Sequence, residues 1–232
     1  MKTNPIVVST FLKCLCYAKR TGEAVDVLLR RMSDLGCAPN TFSYAIVTKG
    51  LCDDGRSQQA LDLLQMVFKQ GCTCSLGVVS YTTVIDGFLK EGQVSKACNL
   101  FHEMVQQRVM PNVVTYNSII DALCKARAMD KAELFLRQML DNGVRPDNMT
   151  YNSMIHGYST LCQWKQASNM FREMKSQGLI PDIVTWRSLI TSLHKHGRRH
   201  EAARVFDSIT AKCQEPQTRS LHILYSAARV WH

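Results

Sequence analysis

No run of about 18 consecutive apolar residues occurs in the 232-residue chain, so no stretch reads as a membrane-spanning helix. Low-complexity segments and long linkers are also missing. There is no phosphate-cradling glycine loop and no nucleophile-elbow motif, which removes the commonest signatures of nucleotide hydrolysis and acyl transfer. Ten cysteines are present, yet no C-x-x-C occurs; Cys14–Cys16 and Cys72–Cys74 are C-x-C pairs. His194, His196 and His200 cluster without a matching cysteine pair, so no metal site is expected there. No catalytic residue and no cofactor is expected.

What the chain has is a repeat. Residues 113–147 read VVTYNSIIDALCKARAMDKAELFLRQMLDNGVRPD, and this 35-residue unit returns at 78–112, 148–182 and 183–217. Looser copies occupy 5–40 and 41–77, and a partial seventh copy begins at 218 and ends at 232. An alanine sets the register: Ala24, Ala60, Ala97, Ala132, Ala167 and Ala202 are separated by 36, 37, 35, 35 and 35 residues. An aromatic marks each start (Tyr44, Tyr81, Tyr116, Tyr151, Trp186), and most units close on a proline (Pro39, Pro111, Pro146, Pro181, Pro216). A period of this length signifies a solenoid.

Each unit reads as two helices. Val113, Tyr116, Ile120 and Leu123 fall at spacings of three and four, predicting a helix ending near Lys125. Arg127–Met129 makes a turn, and Ala132, Phe135 and Met139 form the apolar face of a second helix ending at Gly143. Pro146 cannot continue it, and Asp147 is placed to cap the next helix. One hairpin alone leaves an apolar face wet, so stability is expected from stacking on neighbours. The recurrent alanine reads as a close approach of two helix backbones. The cysteines sit within the helical pattern, Cys16, Cys52 and Cys124 at one register position, and read as buried reduced thiols.

The formal charge is +9, with 28 Lys and Arg spread along the chain against 19 Asp and Glu. An extended basic surface suits a polyanion, although charge of this size also serves solubility. Lys90, Lys125 and Lys195 share one place at the end of the first helix; Tyr17, Asp53 and Thr160 interrupt the series. These lysines complement a helix dipole or form a ladder of phosphate contacts.

The unit, with V-T-Y-N-S-I-I at its start, A-L-C-K before the turn and G-V-R-P-D at its end, resembles a pentatricopeptide repeat of the pure 35-residue class. The likeness runs from Pro5 to His232, and stretches such as VVSYTTVIDGFLKEGQVSKA look most like the plant restorer-of-fertility branch. The resemblance implies an all-α, right-handed superhelical solenoid of helical hairpins. It also implies binding of single-stranded RNA in an organelle, one base per repeat, in transcript processing, stabilisation or fertility restoration. Mitochondrion is the compartment the likeness implies, although no Arg- and Ser-rich presequence precedes the array.

Carried over residue by residue, the base-setting pairs are the residue after the aromatic and the last residue of the repeat. Asn117 with Asp147, and Asn152 with Asp182, would favour U. Thr82 with Asn112 would favour A, and Ser9 with Asn40 weakly A. Ala45 with Gly77, and Arg187 with Gln217, depart from the usual pairs, so those modules are expected to be silent or to bind without much choice. Val79, Val114, Met149 and Val184, second in their repeats, would pack against base faces; as residues alone they also read as core. The expected target is 5′-A-n-A-U-U-n. Asn112, Asp147 and Asp182 read equally as ordinary helix caps.

Zinc deamination needs H-x-E and C-x-x-C, and neither occurs, so any effect on RNA would come from occupying it or recruiting a protein for downstream processing. A peptide-binding helical-repeat scaffold is the alternative, against which the period and the closing Pro-Asp/Asn argue. Because the array starts within five residues of Met1 and stops inside a seventh copy, a shortened, inactive product is a third reading.

Overall fold

The computed structural model describes residues 5–34, 36–69, 77–195 and 197, and the side chains of Pro5, Phe68, Lys69, His194 and Lys195 fall outside that description. The described residues are helical, with no strand among them. The helices are α1 (Pro5–Tyr17), α2 (Thr21–Asp26) running through a π-helical turn (Val27–Arg31) into α3 (Met32–Asp34), α4 (Thr41–Asp53), α5 (Ser57–Lys69), α6 (Val78–Lys90), α7 (Val94–Gln106), α8 (Val113–Lys125), α9 (Met129–Asp141), α10 (Asn148–Thr160), α11 (Trp164–Ser176) and α12 (Ile183–Lys195). The chain forms two compact units, Met1–Ile119 and Ile120–His232, with the division inside α8.

Within each unit the hairpins stack in chain order. In the first, α1 packs on α4 and α4 on α6; in the second, α10 packs on α11 and α12. The apolar spacing explains the contact. Tyr81, Val84, Ile85 and Phe88 stand three and four apart on α6 and are all buried. Each such side chain contributes about 1.5–3 kcal/mol when withdrawn from water. Ala24, Ala60, Ala97, Ala132 and Ala167 are each 0% exposed, as close backbone approach requires; Ala202 lies outside the described residues.

Left-handed residues end the helices. After the first helices these are Lys19, Gly55, Gly92, Arg127, Cys162 and Gly197, and after the second Gly36, Arg108, Gly143 and Gly178. The bonds are those of a Schellman motif: Arg127 N–H donates to Cys124 O at 3.1 Å and Ala128 N–H to Leu123 O at 2.9 Å. The second helix of the fourth hairpin therefore ends at Asp141, two residues short of the expected Gly143, which serves as the left-handed residue beyond it.

The 36-residue interval after Ala24 has a local cause. The second helix of the first hairpin spans one residue more than its counterparts, and the π-helical turn Val27–Arg31 absorbs it. The next helix then starts in register.

The shared place of Cys16, Cys52 and Cys124 also has an explanation. A Cβ built on Gly50 would lie 2.5 Å from Cys16 Sγ, one on Gly87 2.9 Å from Cys52 Sγ, and one on Gly157 3.0 Å from Cys124 Cβ. A glycine on one first helix thus receives the cysteine of the preceding one. Burial raises these thiols, Cys52 to about 11 and Cys124 to about 12, so they stay protonated. The expectation of uniformly buried thiols needs correction: Cys14 and Cys162 are exposed, because one lies on an outer helix face and the other at a left-handed turn. Cys72, Cys74 and Cys213 lie outside the described residues. No disulfide occurs among those described.

Candidate nucleic-acid interface

Six first helices place an apolar residue second, and all six are in water. Exposure is 72% at Ile6, 65% at Phe42, 71% at Val79, 55% at Val114, 64% at Met149 and 52% at Val184. Single exposed apolar residues are ordinary. Their recurrence at one register position is not, and it removes the core reading of Val79, Val114, Met149 and Val184. Ile6 and Phe42 were not among the expected positions, although the same offset from the repeat start marks them.

The most complete polar site joins Asn152 on α10 to the α12 N-terminus. Asn152 Nδ2 donates to Asp182 Oδ2 at 2.9 Å, while Asn152 Oδ1 accepts from the Thr185 hydroxyl. The other Asp182 oxygen, Oδ1, accepts from Thr185 N at 2.9 Å and lies 3.0 Å from Thr185 Oγ1. One carboxylate therefore caps a helix with one oxygen and holds the Asn152 amide with the other. Burial acts against the Asp182 charge, but hydrogen bonds from the Thr185 N–H, the Asn152 amide and the Val184 N–H outweigh it, leaving the carboxyl below its ordinary range.

Thr82 and Asn112 are joined the same way without charge. Asn112 Oδ1 accepts from Thr115 N at 3.0 Å and from Thr115 Oγ1 at 3.1 Å, and Thr115 Oγ1 lies 2.7 Å from Thr82 Oγ1. Asp147 caps α10 through Thr150 N at 3.0 Å in a reciprocal capping box. Its expected partner Asn117 is buried on α8 and belongs to the other compact unit. Asn40 caps α4 through Ser43 N at 2.9 Å. With Ser9 it lines an open pocket of about 360 Å³ whose other walls are Ile6, Thr10, Lys13, Phe42 and Ile46.

The lysine ladder is engaged within its own helices. Lys90 Nζ pairs with Asp86 at 2.8 Å and Lys125 Nζ with Asp121 at 2.5 Å, each one turn earlier. In α4 the order reverses, with Lys49 Nζ 3.2 Å from Asp53. Exposed pairs of this kind contribute only about 0.3–0.5 kcal/mol, so a phosphate can displace the aspartate. The Lys195 side chain, and Gln217, the expected partner of Arg187, lie outside the described residues. The histidine group is likewise out of reach: His196, His200 and the His194 side chain lie outside. Among the described residues no three His, Cys, Asp or Glu side chains converge to hold a metal ion.

These features define a helical-repeat protein whose first helices carry exposed apolar and hydrogen-bonding side chains at recurring register positions. Its sequence matches the PPR repeat family over residues 76–125, 111–160 and 146–195, and the PPR repeat over 184–212. These matches cover more than half of the chain, which belongs to that family. Among curated proteins it is 51% identical over 42 residues to Protein Rf1, mitochondrial, of Oryza sativa subsp. indica, covering 18% of this chain and 5% of that protein. It is 30% identical over 69 residues to the small ribosomal subunit protein mL103 of Arabidopsis thaliana, covering 30% and 16%. Among solved structures, the pentatricopeptide repeat protein PPR10 from maize superposes with a TM-score of 0.68 at 26% identity, over 90% of this chain and 30% of that one. The PPR domain of Arabidopsis thaliana protein-only RNase P 1, solved with tRNA, superposes at 0.63 and 13% identity, over 78% and 95%, a likeness of fold alone. The chain spans a sixth or less of the length of the two curated relatives.

Proposed function

We propose that this chain binds single-stranded RNA, one base per repeat, through the second, fifth and last residues of each unit, and that its repeats are the seven units from residue 5 to residue 232. The observation that carries the reading is the Asn152–Asp182 pair. Asn152 has a second amide hydrogen left to donate, and Asp182 is an ionised acceptor. A uracil edge offers a carbonyl oxygen to the first and a ring N–H to the second. Cytosine has no proton on that ring nitrogen and is disfavoured. Met149 and Val184 would cover the base faces, as Val79 and Val114 would in neighbouring modules, and Ile6 with Phe42 adds a further pair around the pocket of Ser9 and Asn40.

The expected target remains 5′-A-n-A-U-U-n, read by Ser9/Asn40, Thr82/Asn112, Asn117/Asp147 and Asn152/Asp182. The family and PPR10, also solved with an 18-nt psaJ RNA element, support RNA as the ligand class. Relatives named as mitochondrial support that compartment. The chain acts by occupying a transcript, without chemistry of its own, in processing, stabilisation or fertility restoration, with a protein partner recruited downstream. Lys90 and Lys125 exchange Asp86 and Asp121 for phosphates; replacing both by Gln flattens the salt dependence of binding by about 1.4 logarithmic units.

Selection from a randomised RNA pool with the purified chain tests this. Enrichment of an A-n-A-U-U core supports class and register together. No enrichment, or duplex bound as tightly as single strands, favours a peptide scaffold or an inactive product.

A further inference from the structure

The third residue of the first helix carries a buried hydroxyl in five of the six described hairpins, α1 with its exposed Val7 being the exception. Ser43, Ser80, Thr115, Thr150 and Thr185 are all at most 3% exposed. A buried hydroxyl needs partners, and capping supplies some. The Asp182 N–H donates to Thr185 Oγ1 at 3.2 Å while Thr185 N donates back to Asp182 Oδ1. That exchange involves only the cap and its own helix, and Ser43 and Asn40 achieve it with the Ser43 hydroxyl turned to the Asn40 carbonyl at 2.7 Å.

In two places, one in each compact unit, the hydroxyl reaches further. Thr185 Oγ1 donates to Asn152 Oδ1, and Thr115 Oγ1 lies 2.7 Å from Thr82 Oγ1. Asn152 and Thr82 sit on the preceding first helix, 33 residues upstream in each case, and have no part in capping. The contact is surplus to what the helix end requires. At Asn152 it has a definite consequence. The amide is planar, and one hydrogen bond leaves it free to swing about that bond. Two hold its plane: Asp182 takes the Nδ2 side and Thr185 the Oδ1 side. The remaining amide hydrogen is then aimed in a fixed direction.

We infer that Thr185 is a positioning residue for the base-reading pair Asn152/Asp182, and Thr115 for Thr82/Asn112. Recognition of one base therefore depends on a hydroxyl supplied by the next repeat. The inference rests on the base-reading function proposed above. It makes the working module three residues drawn from two repeats.

The test uses the full chain and synthetic single-stranded oligonucleotides carrying the A-n-A-U-U-n core, with U or C at the nucleotide assigned to Asn152/Asp182. The same exchange at the preceding U, assigned to Asn117/Asp147, is the internal control. Thr185→Val removes the hydroxyl and keeps the shape; Thr185→Ser keeps the hydroxyl and loses a methyl. Thr185→Val is expected to lower the U/C affinity ratio at its own nucleotide by up to about tenfold, the worth of one hydrogen bond, with the control ratio unchanged. Thr185→Ser is expected to retain most of the parent ratio. A melting curve reports the cap that Thr185→Val also weakens, and a cap alone does not alter preference at one nucleotide. Should Thr185→Val fail to fold, Thr115→Val with an A/G exchange at the Thr82/Asn112 nucleotide makes the same test in the other unit. A folded valine variant with an unchanged ratio overturns the inference and leaves base reading standing, as does an equal loss at both nucleotides. A parent chain that prefers U at neither site overturns base reading, and the inference falls with it.

Discussion

The second and fifth repeats build the same helix junction with different chemistry. In the fifth, Asn152, Asp182 and Thr185 form a closed set of hydrogen bonds. In the second, Ala45 and Gly77 occupy the corresponding places, and Gly77 leads into α6 in extended conformation with no side-chain cap. The rest is kept: Ser80 is buried, Phe42 and Val79 are exposed, and α4 packs on α6. The hairpin thus folds with or without the polar pair. What the pair adds is an oriented donor and acceptor at the surface, and folding alone does not account for it.

Emptying the fifth repeat is the strongest way to break this contrast. The double change Asn152→Ala with Asp182→Gly copies the second repeat. Its U preference should vanish, with affinity for the A-n-A-U-U core falling about tenfold or more, by analogy with base-edge contacts on DNA worth about 1–3 kcal/mol. Its stability should fall by no more than about 1 kcal/mol, since glycine is an adequate cap and the lost helix-end charge costs about 0.3–1 kcal/mol. Filter binding and a melting curve on one preparation check both halves.

Asp182→Asn is subtler. Oδ1 keeps its cap, and the second oxygen becomes a donor, so preference should move from U toward C at that nucleotide, at a stability cost of about 0.3–1 kcal/mol. The cost should depend on pH. Hydrogen bonding holds the folded Asp182 carboxyl below its ordinary value of 3.8, burial notwithstanding. A group lowered on folding contributes stability above its unfolded pKa and loses it as pH falls through the folded pKa. Parent and variant melting temperatures should therefore differ at pH 7 and converge at pH values below the ordinary carboxyl range.

Smaller still is truncation of an exposed wall. Val184→Ala should weaken RNA binding by about 0.5–1 kcal/mol, from apolar area covered only in the complex. Because the residue is 52% exposed, the melting temperature should hold. A large drop in stability would return it to the core.

Much of this arrangement is legible in the sequence, and the misses have physical causes. Alanine spacing, the closing proline and the Asp147 cap follow from helix geometry, which is local. The side of the apolar face on which Val79 and Val114 lie is not local; the neighbouring hairpin decides it by covering Tyr81 and Val84 while leaving the second place in water. The ion pairs of Lys90 and Lys125 were visible as Asp86 and Asp121 four residues earlier, and the register of the lysines alone concealed them. Thr115 and Thr185 read as ordinary helix residues, because their partners Thr82 and Asn152 lie 33 positions away. The cysteine–glycine contact of successive first helices is hidden for the same reason.

Filling the second repeat tests the central claim most directly. Among the described residues a Cβ at Gly77 meets no atom within 4 Å, and its φ of −80° suits any residue, so aspartate fits there; Ser80 already supplies the hydroxyl. Ala45→Asn with Gly77→Asp should therefore write a new U into the second place of the target, turning A-n-A-U-U into A-U-A-U-U, measured as the affinity ratio of RNAs with U or C at that place. A rise of about tenfold, with the existing preferences unchanged, is the predicted result. A folded variant that still reads its original bases yet remains indifferent at the new place would contradict the account.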